Sequence, residues 1–289
     1  MHIFDRQAVR RHRDRAAATV GDVSAILQDA ADRLLDRLDD TTRRFSEALD
    51  IGGRGVIAPM LRARGIGVVS CDLSAAMAAI NGGPRGGLCI NADEECLPFA
   101  PASFDLVIAS LSLHGINDLP GALLQIRQVL RPDGLFLASI PVLGTLAELR
   151  QALTAAEAEI TGGASPRVSP FPELRDCAGL LQRAGFALPV ADMEEIRLLY
   201  ADPFALLRDL RAAGETNAVR QRDRRIPPRS LFPSALAMLP NDDHRVPVKL
   251  RLAMLTGWAP APFQPRPAAR GSATVSLADV LKSDPPTSD

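Results

Sequence analysis

Asp50-Ile51-Gly52-Gly53-Arg54-Gly55 decides how this chain is read. Apolar residues lead into it from Phe45 to Ile51, and helical spacing follows from Val56 to Arg64. The glycines therefore turn a strand into a helix. Without Cβ atoms they let backbone N–H groups and a helix start approach a ligand closely. Outward from this turn, short apolar runs alternate with helical patterns. Strands are expected at Gly67–Cys71, Leu88–Ala92, Phe104–Leu111 and Leu135–Ile140. Helices are expected at Ser74–Ile80, over 119–130 up to the stop Arg131-Pro132-Asp133-Gly134, and at Leu174–Ala184. Thr145 and Glu148 have capping-box spacing and open a helix to about Ile160. Continuously apolar strands between helices predict an α/β protein with a Rossmann-like, mostly parallel sheet covered on both faces. Ligands of such sheets gather at the carboxyl ends of the strands, where the strand order reverses.

Upstream, Val23, Leu27, Leu34, Leu35 and Leu38 share a face, so 17–39 reads as an amphipathic helix. Downstream, Pro203–Ala213 reads as a helix, Arg220–Arg229 as a basic, solvated loop and Val246–Leu255 as a last strand. A proline-rich tail follows from Pro260 and is expected to be disordered at its end. The expected organisation is a helical arm over 1–44, a main domain over 45–258 with a helical cap at about 203–240, and the tail over 259–289.

The 289 residues are 47% hydrophobic, enough for a sizeable core, and the formal charge of −1 gives no general attraction to nucleic acid. No apolar run is long enough for a transmembrane segment. The start of the chain is arginine-rich, but Asp5 and Asp14 argue against a transit peptide. Cys71, Cys89, Cys96 and Cys177 form no CxxC pair, and the histidines show no ligand spacing, so neither a metal site nor a disulfide framework is expected and a reducing cytoplasm fits.

The glycine turn alone suits two cofactors, because Gly53-Arg54-Gly55-Val56-Ile57-Ala58 also fits a dinucleotide site. Asp72, with Leu73 beside it, suits the ribose of either. Three features select S-adenosylmethionine. Asp50 places a carboxylate before Gly52, Gly53 and Gly55, which suits a cationic ligand end and opposes a pyrophosphate. Ala92-Asp93 follows the third strand, where an acid accepts from an adenine amino group. A helical segment also precedes the first strand. Ser110 closes the set at the end of the fourth strand, and His114 just beyond it is the candidate general base. The alternative for His114 is packing under the next helix. Glu94 and Glu95 read either as acceptors for a cationic substrate or as solvated surface. Tyr200 and Trp258, each the only residue of its type, read as packing.

At this point the chain resembles a known family. Met1-His2-Ile3-Phe4-Asp5-Arg6, Ala92-Asp93-Glu94-Glu95 with Leu97-Pro98-Phe99, and Ser110-Leu111-Ser112-Leu113-His114 look like the methyltransferase-fold assembly factors of mitochondrial complex I. So do Ser169-Pro170-Phe171, Gly214-Glu215-Thr216-Asn217 and Arg266-Pro267-Ala268-Ala269-Arg270-Gly271-Ser272-Ala273. The middle motifs are shared with malonyl-carrier-protein methyltransferases of biotin synthesis. The resemblance implies a class I methyltransferase fold with a seven-stranded sheet, an N-terminal helix and a C-terminal helical extension. It implies S-adenosylmethionine as cofactor, a link to complex I assembly with a subunit as substrate or client, and cytoplasmic location with peripheral contact at the inner membrane. The eukaryotic member hydroxylates an arginine instead of methylating it. Methyl transfer, arginine hydroxylation, non-catalytic assembly and nicotinamide oxidoreduction are thus the readings to separate. This sequence departs from the family twice: one residue is missing between Gly52 and Gly53, and Gly115 replaces a tryptophan after the histidine.

Overall fold

The computed structural model describes residues 2–82, 87–265, 271–272 and 274–276. The expected disorder at the end of the tail falls on residues outside these. The centre of the molecule is β4 (Phe104–Ser110), whose seven residues are all buried. A strand without polar alternation is stable only where both faces are covered, and the neighbours of β4 supply that cover. On one side lie β1 (Glu47–Ile51), β2 (Gly67–Asp72) and β3 (Leu88–Asn91), and on the other β5 (Leu130–Pro141). These five pair in parallel. Among the described residues the strands form one seven-stranded sheet of order β3-β2-β1-β4-β5-β7-β6. The last strand, β7 (Val246–Trp258), runs antiparallel between β5 and β6 (Ala187–Tyr200). Strand order reverses between β1 and β4, so Asp50 stands at the crevice where ligands of such sheets bind.

Helices cover both faces. On one, α2 (Ser24–Leu35) buries Leu27, Ala30, Ala31, Leu34 and Leu35 in the same apolar cluster as α3 (Ile57–Ala63) and α4 (Ala75–Gly82). On the other lie α5 (Leu119–Val129) and α7 (Leu174–Arg183). A third cluster joins α6 (Ala147–Thr161), α8 (Pro203–Ala212) and α9 (Leu231–Ala237) to the outer strands. The first helix, α1 (Arg6–Ala16), is capped by Asp5, which accepts from the Ala8 N–H at 3.1 Å.

Several sequence expectations change. The helix over 17–39 is a 3-10 turn at Val20–Val23 followed by α2. Arg131-Pro132-Asp133-Gly134 ends α5 and also bulges from β5, since Leu130 pairs with Phe104 and Leu135 with Leu106. β6 has no counterpart in the reading, because Ala187–Tyr200 is half exposed and mixes charged with apolar residues. The expected capping box does not form. The Thr145 hydroxyl donates to the Arg251 carbonyl and accepts from the Arg251 N–H, both at 2.9 Å, so β7 consumes it. The helix starts instead from Leu146 in the left-handed region (φ 54°) without a side-chain cap. No described helix is long and apolar enough to cross a membrane.

Leu34 is fully buried beneath the sheet, so Leu34→Ala is expected to cost about 2–5 kcal/mol in urea unfolding. A loss within about 0.5 kcal/mol would mean that α2 contributes nothing to the core.

Candidate functional site

The glycine loop is built on contact with two side chains. Gly52 has φ 67°, and its N–H donates to the Cys71 carbonyl at 2.8 Å. A Cβ there would fall 2.6 Å from Ser112 Cβ. At Gly53 a Cβ would fall 2.2 Å from Asp50 Oδ1. Any larger residue would push the loop off Asp50 and Ser112. Gly55 (φ 83°) completes the turn. The helix after it is only the seven residues of α3, shorter than the expected Val56–Arg64.

Asp50 is fully buried; one oxygen accepts from Ser70 Oγ at 3.4 Å and Oδ1 has no partner. Burial, with the Asp72 charge adding to it, pushes its carboxyl up to about 7, against the pull of Ser70, Arg62 and the Gly53 N–H. Asp72 is equally buried and accepts from the Ser74 N–H at 2.8 Å. Leu73 packs against Ala8, Val9 and Ala218. The Ala92 N–H donates to the Asp72 carbonyl at 3.0 Å, which fixes the chain after β3 against β2. Asp93 pairs with Arg6 at 2.5 Å and accepts from the Glu95 N–H. Ser110 lies between β4 and β5, 3.4 Å from the Ser139 hydroxyl. Asp50, Gly52, Gly53 and Asp72 thus gather at the loop, Asp93 stands with Arg6, and the Ser110 hydroxyl faces that of its β5 neighbour Ser139.

Arg13 ties these parts together. Its guanidinium, 3% exposed, lies 2.6 Å from Glu94, 3.4 Å from both Asp72 oxygens and 3.3 Å from the Ser112 carbonyl. Arg6 also pairs with Glu94 and donates to the Gly115 carbonyl at 3.0 Å. Burial alone would raise the Glu94 pKa, but Arg13 and Arg6 hold it below the usual range. Sequence reasoning missed both arginines; the only signal was a cationic helix in a chain whose strand ends carry acids. It also left Glu94 with a solvated alternative, whereas the side chain is buried. At Gly115 a Cβ would meet Val9 of α1 at 3.9 Å, an ordinary packing distance.

A second polar group borders the loop. Arg54, a non-glycine residue at φ 48°, buries its side chain and pairs with Glu215. Glu215 also lies 2.7 Å from His114 Nε2. Burial would raise Glu215, but His114, Arg54 and Arg13 hold it well below the carboxylate range. The His114 ring is 6.4 Å from that of Phe171, and its Nδ1 is buried without a partner. Among the described residues, Asp50 Oδ1, Ser112 Oγ, Arg54 Nε and His114 Nδ1 are all buried and unpartnered around this one loop. Buried polar atoms are normally paired, so their clustering marks a place built for a ligand.

From here a cavity of about 690 Å³ opens between the sheet and the helical cap, bordered by Arg54, His114, Glu215, Leu149, Phe171 and Leu250. Tyr200 also lines it, and its hydroxyl donates to Asp209 at 2.9 Å. Trp258 lies beside Phe45, with 6.5 Å between ring centroids. The basic segment 220–229 is mostly solvated, as expected, with Arg220, Arg224, Arg225 and Arg229 exposed; Arg222 is the exception. The Arg222 side chain is 15% exposed and pairs with Asp5 at 3.0 Å, next to a strand-like bridge between Phe4 and Val219.

Arg13→Met leaves Asp72 buried without its cation and Glu94 with Arg6 alone. It is expected to lower stability by about 3–5 kcal/mol in urea unfolding, with part restored in Arg13→Met/Glu94→Gln. An unchanged midpoint would show that α1 is held by other contacts.

A family described as a methyltransferase domain matches residues 49–138. The chain is 37% identical over 295 residues to the mitochondrial arginine-hydroxylase NDUFAF5 of Danio rerio, covering 98% of this chain and 90% of that protein. It is 36% identical over 272 residues to the malonyl-[acyl-carrier protein] O-methyltransferase of Xylella fastidiosa (strain M23), covering 89% of each. Among solved structures, the YcgJ protein of Bacillus subtilis superimposes with a TM-score of 0.55 at 13% identity, over 79% of this chain and 98% of that one. At that identity the likeness speaks for the fold alone.

Proposed function

Since this chain belongs to the methyltransferase-fold family of the arginine-hydroxylase NDUFAF5, we propose that it binds S-adenosylmethionine at the glycine loop and transfers its methyl group, in a role linked to respiratory complex I assembly. The observation that carries the reading is the set of unpartnered buried atoms around Gly52 and Gly53.

The residues present fit this cofactor. Asp50, with a free oxygen beside the loop, would hold the cationic end. Asp72 would hold the ribose hydroxyls; its contacts to Arg13 are long, because the short bond of Arg13 goes to Glu94, so acceptor capacity remains. Asp93 would take the adenine amino group. When bound, S-adenosylmethionine supplies a methyl group already activated on a sulfonium. What the chain adds is positioning and exclusion of water.

His114 gives proton transfer a direction. An ionised carboxylate only accepts, so a neutral imidazole facing Glu215 carries its hydrogen on Nε2 and keeps the lone pair on Nδ1. Nδ1 is then the base for an acceptor in the adjoining cavity, and Glu215 holds the ring in place. The complex I link rests on the resemblance carried by the terminal motifs, and a subunit of that complex is its client.

A second reading has one observation in its favour. The mitochondrial relatives are named arginine hydroxylases, and here Asp72 and Glu94 already receive a guanidinium, that of Arg13. Intact masses of complex I subunits from a deletion strain separate the two: methyl transfer removes a methyl increment, hydroxylation an oxygen increment.

Titration calorimetry is expected to give heat with S-adenosylmethionine and none with NAD. Cation binding favours ionised Asp50, whose proton leaves near pH 7, so affinity rises with pH up to about 7 and then levels off. Asp50→Asn should flatten that profile. No heat with S-adenosylmethionine would overturn the proposal and favour a non-catalytic assembly factor. His114→Gln is expected to lower kcat by about 10²–10⁴-fold with cofactor affinity unchanged. Unchanged turnover would remove His114 from the chemistry and leave it as packing.

A further inference from the structure

The cavity beyond His114 differs in chemistry at its two ends and along its length. Its walls are aliphatic and aromatic side chains of four separate elements: Leu149 and Leu153 of α6, Leu207 of α8, Phe232 of α9 and Leu250 of β7. At about 690 Å³ it lies within the ~300–1,000 Å³ of small-molecule sites. The inner end is polar, with Arg54 and His114 mostly buried and Glu215 half-buried between them. Six arginines line the cavity with the carboxylates of Asp209, Glu215 and Asp223; Arg54, Arg167 and Arg222 are already paired with Glu215, Glu157 and Asp5, which leaves Arg208, Arg211 and Arg225.

Three of the arginines mark the mouth. Arg208 and Arg225 have side chains 65% and 88% exposed, and their partners Asp202 and Asp223 are 49% and 24% exposed. The exposed Arg211 side chain has no hydrogen bond or ion pair among the described residues. The Arg208 pair is exposed on both sides and worth little, about 0–1 kcal/mol, so Arg208 and Arg211 are available to a ligand anion, while Arg225, held by Asp223 through Nε and Nη2, adds its charge to the lining. A guanidinium or ammonium ligand would meet like charge at the same place.

From this we infer that the acceptor held in the cavity is an amphipathic anion: a hydrocarbon chain along the apolar walls, with a carboxylate or phosphate at the mouth formed by Arg208, Arg211 and Arg225. The inference rests on the methyl-transfer reading: the inner end of the hydrocarbon chain would carry a hydroxyl beside His114, its oxygen the atom methylated and its proton passing to His114 Nδ1. It gives the apolar length and the cationic rim one explanation. Dispersion and burial along the chain supply affinity without regard to charge, and the arginines select the sign of the head group.

The test uses the full chain saturated with S-adenosylmethionine and three probes of one chain length: dodecanoate, dodecyl phosphate and dodecylammonium, each below its micelle concentration. Calorimetry is expected to show both anions binding and the cation about tenfold more weakly or not at all, a contrast that shrinks in raised salt. Carboxylate against phosphate identifies which head group the mouth prefers. Arg208→Glu/Arg225→Glu lies on the surface and is expected to weaken both anions about tenfold while leaving S-adenosylmethionine binding unchanged. Leu207→Glu, on the wall, should weaken all three probes. Equal binding of cation and anions, or no binding of any probe to protein that still binds S-adenosylmethionine, overturns the inference and leaves the cofactor reading intact. Anion binding to protein that does not bind S-adenosylmethionine overturns the cofactor reading, and with it the role of the bound anion as methyl acceptor. Tighter binding of an arginine peptide than of either anion overturns the inference in favour of a cationic protein substrate.

Discussion

The buried guanidinium of Arg13 is the contact on which the site depends. It reaches Glu94 beyond β3, Asp72 at the end of β2 and the Ser112 carbonyl beyond β4, and so fastens three strand ends to the first helix. The apolar contribution of α1 is small, with only Ala8, Val9 and Ala16 buried beside Arg13. Charge, more than apolar area, holds this helix in place. The clamp is strong only as a set, since a buried carboxylate without its cation carries the full cost of desolvation. Arg6 with Asp93 and Glu94, and Arg54 with Glu215, extend the same arrangement around the loop. His12 of α1 lies within hydrogen-bond distance of the Thr216 carbonyl on the far wall. The cofactor loop and the acceptor cavity therefore share one support.

The sheet was legible in the sequence because its strands carry their burial in their composition. Phe104–Ser110 has no polar alternation and has to be central. Asp50, Asp72 and Asp93 were legible for a related reason: acids at the ends of apolar strands stand out. β6 was not legible, because an edge strand half open to water needs no apolar period, and Ala187–Tyr200 shows none. The start of α6 misled for a different reason. Thr145 has the right spacing for a cap, but its hydroxyl is bonded across 106 positions to Arg251, and local sequence carries no trace of such a partner.

The same limit explains what was missed at the site. Arg13, Glu94 and Glu215 are charged residues in charged stretches, and nothing local distinguishes a buried member from a solvated one. Their burial depends on one another: Glu94 can be buried only because Arg13 and Arg6 arrive from 81 and 88 positions away. In the otherwise exposed arginine run over 220–229, Arg222 alone departs, withdrawn from water by Asp5, 217 positions away.

The position of β7 has a consequence for the making of the chain. It is the last of the described strands to be synthesised, yet it lies inside the sheet, between β5 and β6. Until residue 258 has left the ribosome, two long edges, the apolar Leu135–Pro141 and the mixed Val190–Tyr200, have no strand between them. An unpaired apolar edge is a template for pairing with another chain. Nascent chains of this protein thus pass through a stage that needs protection from self-association, and a premature stop codon between Tyr200 and Val246 would fix them in it.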